Sequence, residues 1–397
     1  MTKKIEVSGV GCCLVDYLYN NISFASETFS KYISKERGDG GLTPGQLVFQ
    51  EEFEKFSGQD FKSAIYKITK GNPADKINIG GPGIVALIHA AQMLEETNCN
   101  LRFYGGCGDD EAGDYLRSSL VLTPVNIDNY KRVKGVTPST VVLSDPGFNE
   151  GSGERIFINS IGAAGNYLTD ELDERFFDSD VVVFGGTALV PVIHDHLTEL
   201  LAKAKSKRCV TVVNTVYDFR NEKASPDQKW PLGDSDSSYR NIDLLITNRE
   251  EALRLSGKSD LREAMDFFRA NGTGAVIVTN GAKNVSLFAN RDSLFYETRL
   301  TEMPVSAAVT VELNKRTSGD TTGCGDNFAG GVIASLIVQL QENKQKADLQ
   351  EACAWGIVSG GFSCFYMGGT YLQKEPGEKR KLIIPFYEEY IKQTANG

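Results

Sequence analysis

The chain has 397 residues, 41% of them apolar and 24% charged, which is the composition of a globular protein long enough to bury a sizeable core. Its formal net charge of -10 and pI of about 5.1, with no long Lys/Arg run, argue against a nucleic-acid backbone or an anionic membrane surface as partner. No apolar run approaches a membrane span, the eight cysteines include no C-x-x-C, and the three histidines form no metal-ligand cluster, so a reduced cytoplasmic protein is the expectation.

The first element in chain order is a strand at residues 4–10. Glu6 and Asp16 interrupt the apolar stretch around it, which therefore reads as a strand and not as a secretion signal, with Cys12 and Cys13 packed as small apolar residues. Further buried strands are predicted at 101–104, 180–184, 209–214, 243–247 and 274–279. Helix-like stretches fall at 83–96, 110–120, 194–206, 249–255, 261–271, 327–341 and 349–364. Strands alternating with helices imply a mostly parallel sheet covered on both faces, with ligands at the carboxyl ends of its strands. Two segments break the alternation: residues 17–75, rich in turn signals, and residues 139–159, which read as paired strands around Asp145-Pro146-Gly147.

The strongest chemical signal is Thr-Ser-Gly-Asp-Thr-Thr-Gly-Cys-Gly-Asp at 317–326, followed by the apolar helix expected from Asn327. A glycine turn that ends in a carboxylate at a helix start suits phosphoryl transfer. The N–H groups of Gly323, Cys324 and Gly325 point into one concavity, the positive helix end adds to the field there, and Asp326 is placed to accept a proton from an attacking hydroxyl. A dinucleotide-binding reading of Gly9-Val10-Gly11 lacks its third glycine and its helix, and the P-loop pattern G-x-x-x-x-G-K-[ST] is absent.

The string from Asp320 to Asp326 resembles the second signature of the PfkB carbohydrate kinase family, of the ribokinase-like superfamily, with Cys324 in its small-residue slot. Gly105-Gly106-Cys107-Gly108-Asp109-Asp110 and Gly80-Gly81-Pro82-Gly83 resemble two more family segments, although the family's Asn position after the second falls on Val85, for which Asn78 is the candidate replacement. The resemblance implies an α/β, three-layer ribokinase-like fold: a mostly parallel central sheet flanked by helices, plus a small β lid. One kinase domain would span 1–397, with the lid drawn from about 17–75 and 135–162. It implies an ATP- and Mg2+-dependent kinase acting on a hydroxyl of a sugar-like substrate, with Asp326 as catalytic base and residues 323–326 as anion hole. Asp16, Gly80 and Gly81 would hold the substrate, a carboxylate being able to accept from two neighbouring hydroxyls. Asn248 and Glu251 would order magnesium-bound water with no direct protein ligand, Thr279 and Gly281 would form the nucleotide-side turn with Lys283 beyond it, and residues 352–361 would wall the adenine. Arg220 is a weaker candidate for a phosphate or acidic substituent. An adenosine-type nucleoside kinase, with Phe157 and Tyr167 stacking on a base, is the main alternative. A catalytically silent sugar- or nucleotide-binding regulator on the same fold is the alternative of another class, and a homodimer through exposed lid edges is the expected partner state.

Overall fold

The computed structural model describes residues 3–36, 38–151, 153–316, 320–342 and 345–395. Thr317, Ser318 and Gly319, at the head of the glycine turn, lie outside them. Fourteen strands are present among the described residues: β1 Ile5–Gly11, β2 Leu14–Tyr19, β3 Leu47–Phe49, β4 Lys76–Gly80, β5 Cys99–Cys107, β6 Tyr130–Arg132, β7 Ser139–Asp145, β8 Glu154–Ser160, β9 Val181–Gly185, β10 Val210–Asn214, β11 Leu244–Asn248, β12 Ala275–Thr279, β13 Val285–Ala289 and β14 Thr298–Met303. Nine of them form the central sheet in the order β14-β13-β12-β11-β10-β9-β1-β5-β6, parallel from β12 to β6 and antiparallel at β13 and β14.

Side-chain alternation along these strands produces the three layers. Val181 and Val183 of β9 face one apolar cluster, while Val182 and Phe184 face the other; Ala275 and Ile277 of β12 divide from Val276 and Val278 in the same way. Helices Pro82–Leu94, Cys324–Gln341 and Leu349–Ser363 cover the first face, and helices Leu197–Ser206, Arg249–Ser256 and Leu261–Ala270 cover the second. Each fully buried Val, Leu or Ile contributes about 1.5–3 kcal/mol, so strands apolar on both sides are stable only when covered on both sides.

A second sheet of five strands, in the order β3-β8-β7-β2-β4, stands beside the carboxyl ends of the first. Its strands start at Leu14 and include residues 76–80, outside the segments expected for the lid. Residues 20–75 supply only the three-residue β3 to it and otherwise build helices, chiefly Gln50–Ser57 and Phe61–Ile68. These cover the lid sheet through a third apolar cluster, in which Phe29, Phe53, Ile65 and Ile68 meet Val141, Leu143, Ile156 and Ile158. The lid edges are blunted. On β4 the carbonyls of Ile77 and Ile79 already accept from Tyr115 Oη (3.0 Å) and Thr370 Oγ1 (2.8 Å), so subunit pairing there would rest on side chains such as the exposed Ile77.

The expected helix at 194–206 divides at His196, and the one expected from Asn327 begins at Cys324. Strands β13 and β14 and the terminal helix Glu378–Ala395 were not expected; β14 is a polar edge strand, and Pro385 stands inside that helix. Beneath the site three chain segments cross on glycine alone. A Cβ on Gly11 would lie 1.8 Å from the Gly185 carbonyl oxygen, and one on Gly83 would lie 2.9 Å from both Gly11 Cα and that oxygen. Gly83→Val should therefore misfold or lower the melting temperature by many degrees, as read by circular dichroism; an unchanged Tm would contradict this close crossing.

Candidate active site

Gly323 is the N-cap of helix Cys324–Gln341, with φ 74°. A Cβ there would stand 2.4 Å from Gly369 Cα, so both conformation and space demand glycine. The Cys324 N–H turns back to the Thr321 carbonyl at 3.3 Å, which removes it from the expected set of three phosphate donors. Among the described residues no group takes up the N–H of Gly323, Gly325 or Asp326, and the last two lie in the first helical turn, where an anion is favoured. Behind this turn Asn327 acts as a peg. Its Nδ2 donates to the carbonyls of Gly323 and Gly369, both at 2.8 Å, while its Oδ1 accepts from Lys379 Nζ at 2.9 Å, His89 Nδ1 at 2.9 Å and Tyr366 Oη at 3.2 Å. Lys379 is 1% exposed, and desolvation holds its ammonium well below the usual lysine range.

Asp326 opens on a cleft of about 880 Å³ lined also by Asn214, Thr215, Asn248, Glu251, Thr279, Gly323 and Gly325. Desolvation and then the Glu251 carboxylate push Asp326 up to about 7. Asp16, on lid strand β2 and 6% exposed, is pushed up to about 8, first by desolvation and then by the charges of Asp326 and Asp320. Among the described residues no group hydrogen-bonds either carboxylate of the Asp16/Asp326 pair. Glu251 is also raised by burial, although Thr215 Oγ1, Thr247 Oγ1 and Asn248 Nδ2 donate to it. Asn248 and Glu251 form a complete capping box, so the structural role is present at the same residues as the expected water-ordering one.

Lid and core meet at the glycine turn. Arg155 of β8 reaches Asp320 at 3.0 Å and Thr322 Oγ1 at 2.6 Å, and also donates to Thr321 Oγ1. Asp320 in turn accepts from the N–H of Thr322 (2.9 Å) and Gly368 (2.7 Å). On the other side Glu52 pairs with Lys223, and Phe49 meets Phe219 edge-on at 6.1 Å, so the helical insertion spans the cleft mouth.

The structure brings Asp326, Gly323, Cys324, Gly325, Asn248, Glu251 and Thr279 to one cleft. Gly281 sits in the turn after β12 with φ 57° and open space around it, and Lys283 beyond it is exposed. Asp16, Gly80 and Gly81 adjoin one another, since a Cβ on Gly80 would lie 2.1 Å from Asp16 Oδ2, but they do not line that cleft. Four other expectations fail. Asn78 is 2% exposed and committed to the Thr370 carbonyl and its own neighbour, so it replaces no substrate contact. Tyr167 is fully buried and cannot stack on a base. Arg220 is paired with Asp195. The small residues at 352–361 serve helix packing, a Cβ on Gly356 or Gly360 falling within 3.1 Å of Phe328 or nearer to its neighbours. Sequence reading missed Arg155 and Lys379, whose partners are 165 and 52 residues away.

A carboxyl raised in the folded state stabilises the fold below its unfolded pKa, and that contribution is lost as pH rises through the folded value. Asp16→Asn removes this loss. We expect its Tm to match the wild type near pH 3.8, with the gap widening as pH rises and reaching several degrees near pH 8.5; a lower Tm at the higher pH would contradict the uncompensated carboxylate.

Residues 60–375 match the family described as pfkB family carbohydrate kinase. Cytidine kinase of Thermococcus kodakarensis is 26% identical over 163 residues, 41% of this chain and 50% of that protein, so the chain spans about half the length of this curated relative. Adenosine kinase from Sinorhizobium meliloti superposes with a TM-score of 0.68 at 16% identity, covering 96% of this chain and 100% of that one. Ribokinase from Thermotoga maritima does so with a TM-score of 0.60 at 19% identity, covering 96% and 99%. At such identities the solved structures establish the ribokinase-like fold, and with the family match over most of its length the chain belongs to the pfkB family of carbohydrate kinases.

Proposed function

We propose that the protein transfers the terminal phosphoryl group of ATP to a hydroxyl of a sugar or of a sugar ring within a larger substrate. The observation that carries this reading is Asp326: a carboxylate without a hydrogen-bond partner among the described residues, raised to about 7, in the same helical turn as unclaimed N–H groups. A general base works best with a pKa near the operating pH, and N–H groups fixed at a helix start stabilise charge on a transferring phosphoryl group without reorganisation. Intact base and turn argue against a silent regulator.

Asp16, Gly80 and Gly81 would hold the acceptor on the lid side, and Asn248, Glu251, Thr279 and Gly281 the nucleotide on the sheet side. The cleft lining carries Glu52, Glu222, Glu250, Glu251 and Asp326 against Lys223, so a bare triphosphate would meet a repulsive field. A magnesium ion suits this donor set. Glu251 is already engaged by Thr215, Thr247 and Asn248, which fits it to hold a metal-bound water together with Asn248. When bound, the ion supplies neutralisation of charge between the β- and γ-phosphates. A nucleoside acceptor is favoured over a free sugar by one feature, the aromatic rings of Phe49, Phe157, Tyr217 and Phe219 along the same cleft. That similar proteins carry the names adenosine kinase and cytidine kinase supports the same choice.

The test is acceptor-stimulated ATP turnover with Mg2+ across free sugars, sugar acids and nucleosides. We expect stimulation by a nucleoside, and silence from every acceptor would sink the kinase reading. Asp326→Asn should lower kcat by at least ~100-fold while ATP binding changes little. In the wild type kcat/KM should rise with pH through about 7, because the raised carboxyl must lose its proton to act; a flat profile would remove Asp326 as base.

A further inference from the structure

We propose that Cys324 and Cys364 are a modification site: a thiol pair that closes to a disulfide across the anion turn and reversibly stops phosphoryl transfer. Cys324 is the first residue of the helix that begins at the turn, and Cys364 caps the end of helix Leu349–Ser363. Their sulfurs lie 3.1 Å apart, in direct contact. No other thiol pair among the described residues makes such a contact. Five cysteines, Cys12, Cys13, Cys107, Cys209 and Cys353, are buried, whereas Cys324 and Cys364 are both partly exposed, so a small oxidant reaches the pair.

The pair is also electronically unequal. The contact with Cys324 lowers Cys364 below the usual thiol range, with the Arg155 guanidinium adding to the effect, while the same contact and burial raise Cys324. Cys364 is therefore the nucleophile. With a peroxide as oxidant, the Cys364 thiolate attacks the O–O bond, forming a sulfenic acid and releasing hydroxide. Cys324 Sγ then attacks the sulfenic sulfur, the S–S bond forms, and the sulfenic oxygen leaves as water with the Cys324 proton. The two thiols lose two electrons, the peroxide gains them, and a dithiol reverses the reaction.

Bond formation requires about 1 Å of further approach to reach the ~2.05 Å of a disulfide. The shift falls on the backbone that carries the Gly325 and Asp326 N–H groups and the Asp326 carboxylate, and a misplacement of ~1 Å at a reacting centre is enough for about 100-fold in rate. Only this loss of turnover rests on the proposed kinase reading; formation of the bond does not.

The experiment treats the reduced full chain with hydrogen peroxide and follows both thiols and turnover. The denatured thiol titre should fall from eight to six, the mass should drop by about 2 Da, and a linked peptide should contain Cys324 and Cys364. ATP turnover should fall at least about tenfold and return with dithiothreitol. Cys364→Ser should keep its basal turnover and retain it after oxidant. A titre that stays at eight, a link between other cysteines, a disulfide that leaves turnover unchanged, or equal inactivation of Cys364→Ser would each overturn the proposal. A disulfide formed in a chain that turns over no acceptor before oxidation counts against the kinase reading and removes the switch with it.

Discussion

Four carboxylates, Asp16, Asp320, Asp326 and Glu251, are gathered where helix Cys324–Gln341 begins, and the rest of the structure is arranged around the cost of that gathering. Like charges in a desolvated cleft repel one another, so the site is stable only while some of them are neutral or facing a cation. The four are held differently. Asp320 has Arg155, two backbone N–H groups and a hydroxyl, whereas Glu251 has two hydroxyls and an amide. Asp16 and Asp326 have no such partners among the described residues, and they are the two whose pKa values rise to about 8 and about 7. On the proposed reading this division has a use: Asp320 ties the lid to the turn, Glu251 is braced beside Asn248, and Asp16 and Asp326 keep their lone pairs for a substrate.

Holding two unsatisfied carboxylates in place requires stiffness from outside the cleft. The Gly11, Gly83 and Gly185 crossing sets the sheet-to-helix distance beneath the site, and Gly323 against Gly369 sets the turn above it. Asn327 then ties the Gly323 carbonyl to Gly369, and through its Oδ1 to Lys379 on the C-terminal helix and His89 on helix Pro82–Leu94. A fully buried amino group is costly unless hydrogen-bonded, and Asn327 Oδ1 supplies that bond to Lys379, so the peg and the turn it holds are stable only together. Arg155 brings the lid to the same turn from the other side. Lid and anion turn are thus held by the same arginine.

Much of this was legible in the order of residues. The alternation of apolar strands with helical periods is local, and the six core strands lie where the runs predict. The turn at 323–326 was legible because glycine, helix start and carboxylate are contiguous, although the N–H of Cys324 is spent within the turn, a detail that depends on the fold of Thr321. What escaped depends on distant partners. Arg155 looks like any hairpin arginine until β8 is placed beside Asp320, and Lys379 looks like a surface lysine of a polar helix until Asn327 is found beside it. Residues 20–75 misled for another reason: dense glycine and proline signals suggested turns between strands, while short helices at Gln50–Ser57 and Phe61–Ile68 are stabilised by burying Phe53 and Ile65 on the lid sheet. The small residues at 352–361 show the same limit, since room for a flat base and close approach to Phe328 read identically.

The most direct measurement of the central claim is a crystal structure with ADP, magnesium, aluminium fluoride and the best acceptor. The planar fluoride is expected at the N–H groups of Gly325 and Asp326, with the acceptor hydroxyl ~2.6–3.2 Å from an Asp326 oxygen and the sugar ring on the Asp16 side. A fluoride bound away from the helix start, or an acceptor hydroxyl beyond reach of Asp326, would contradict it.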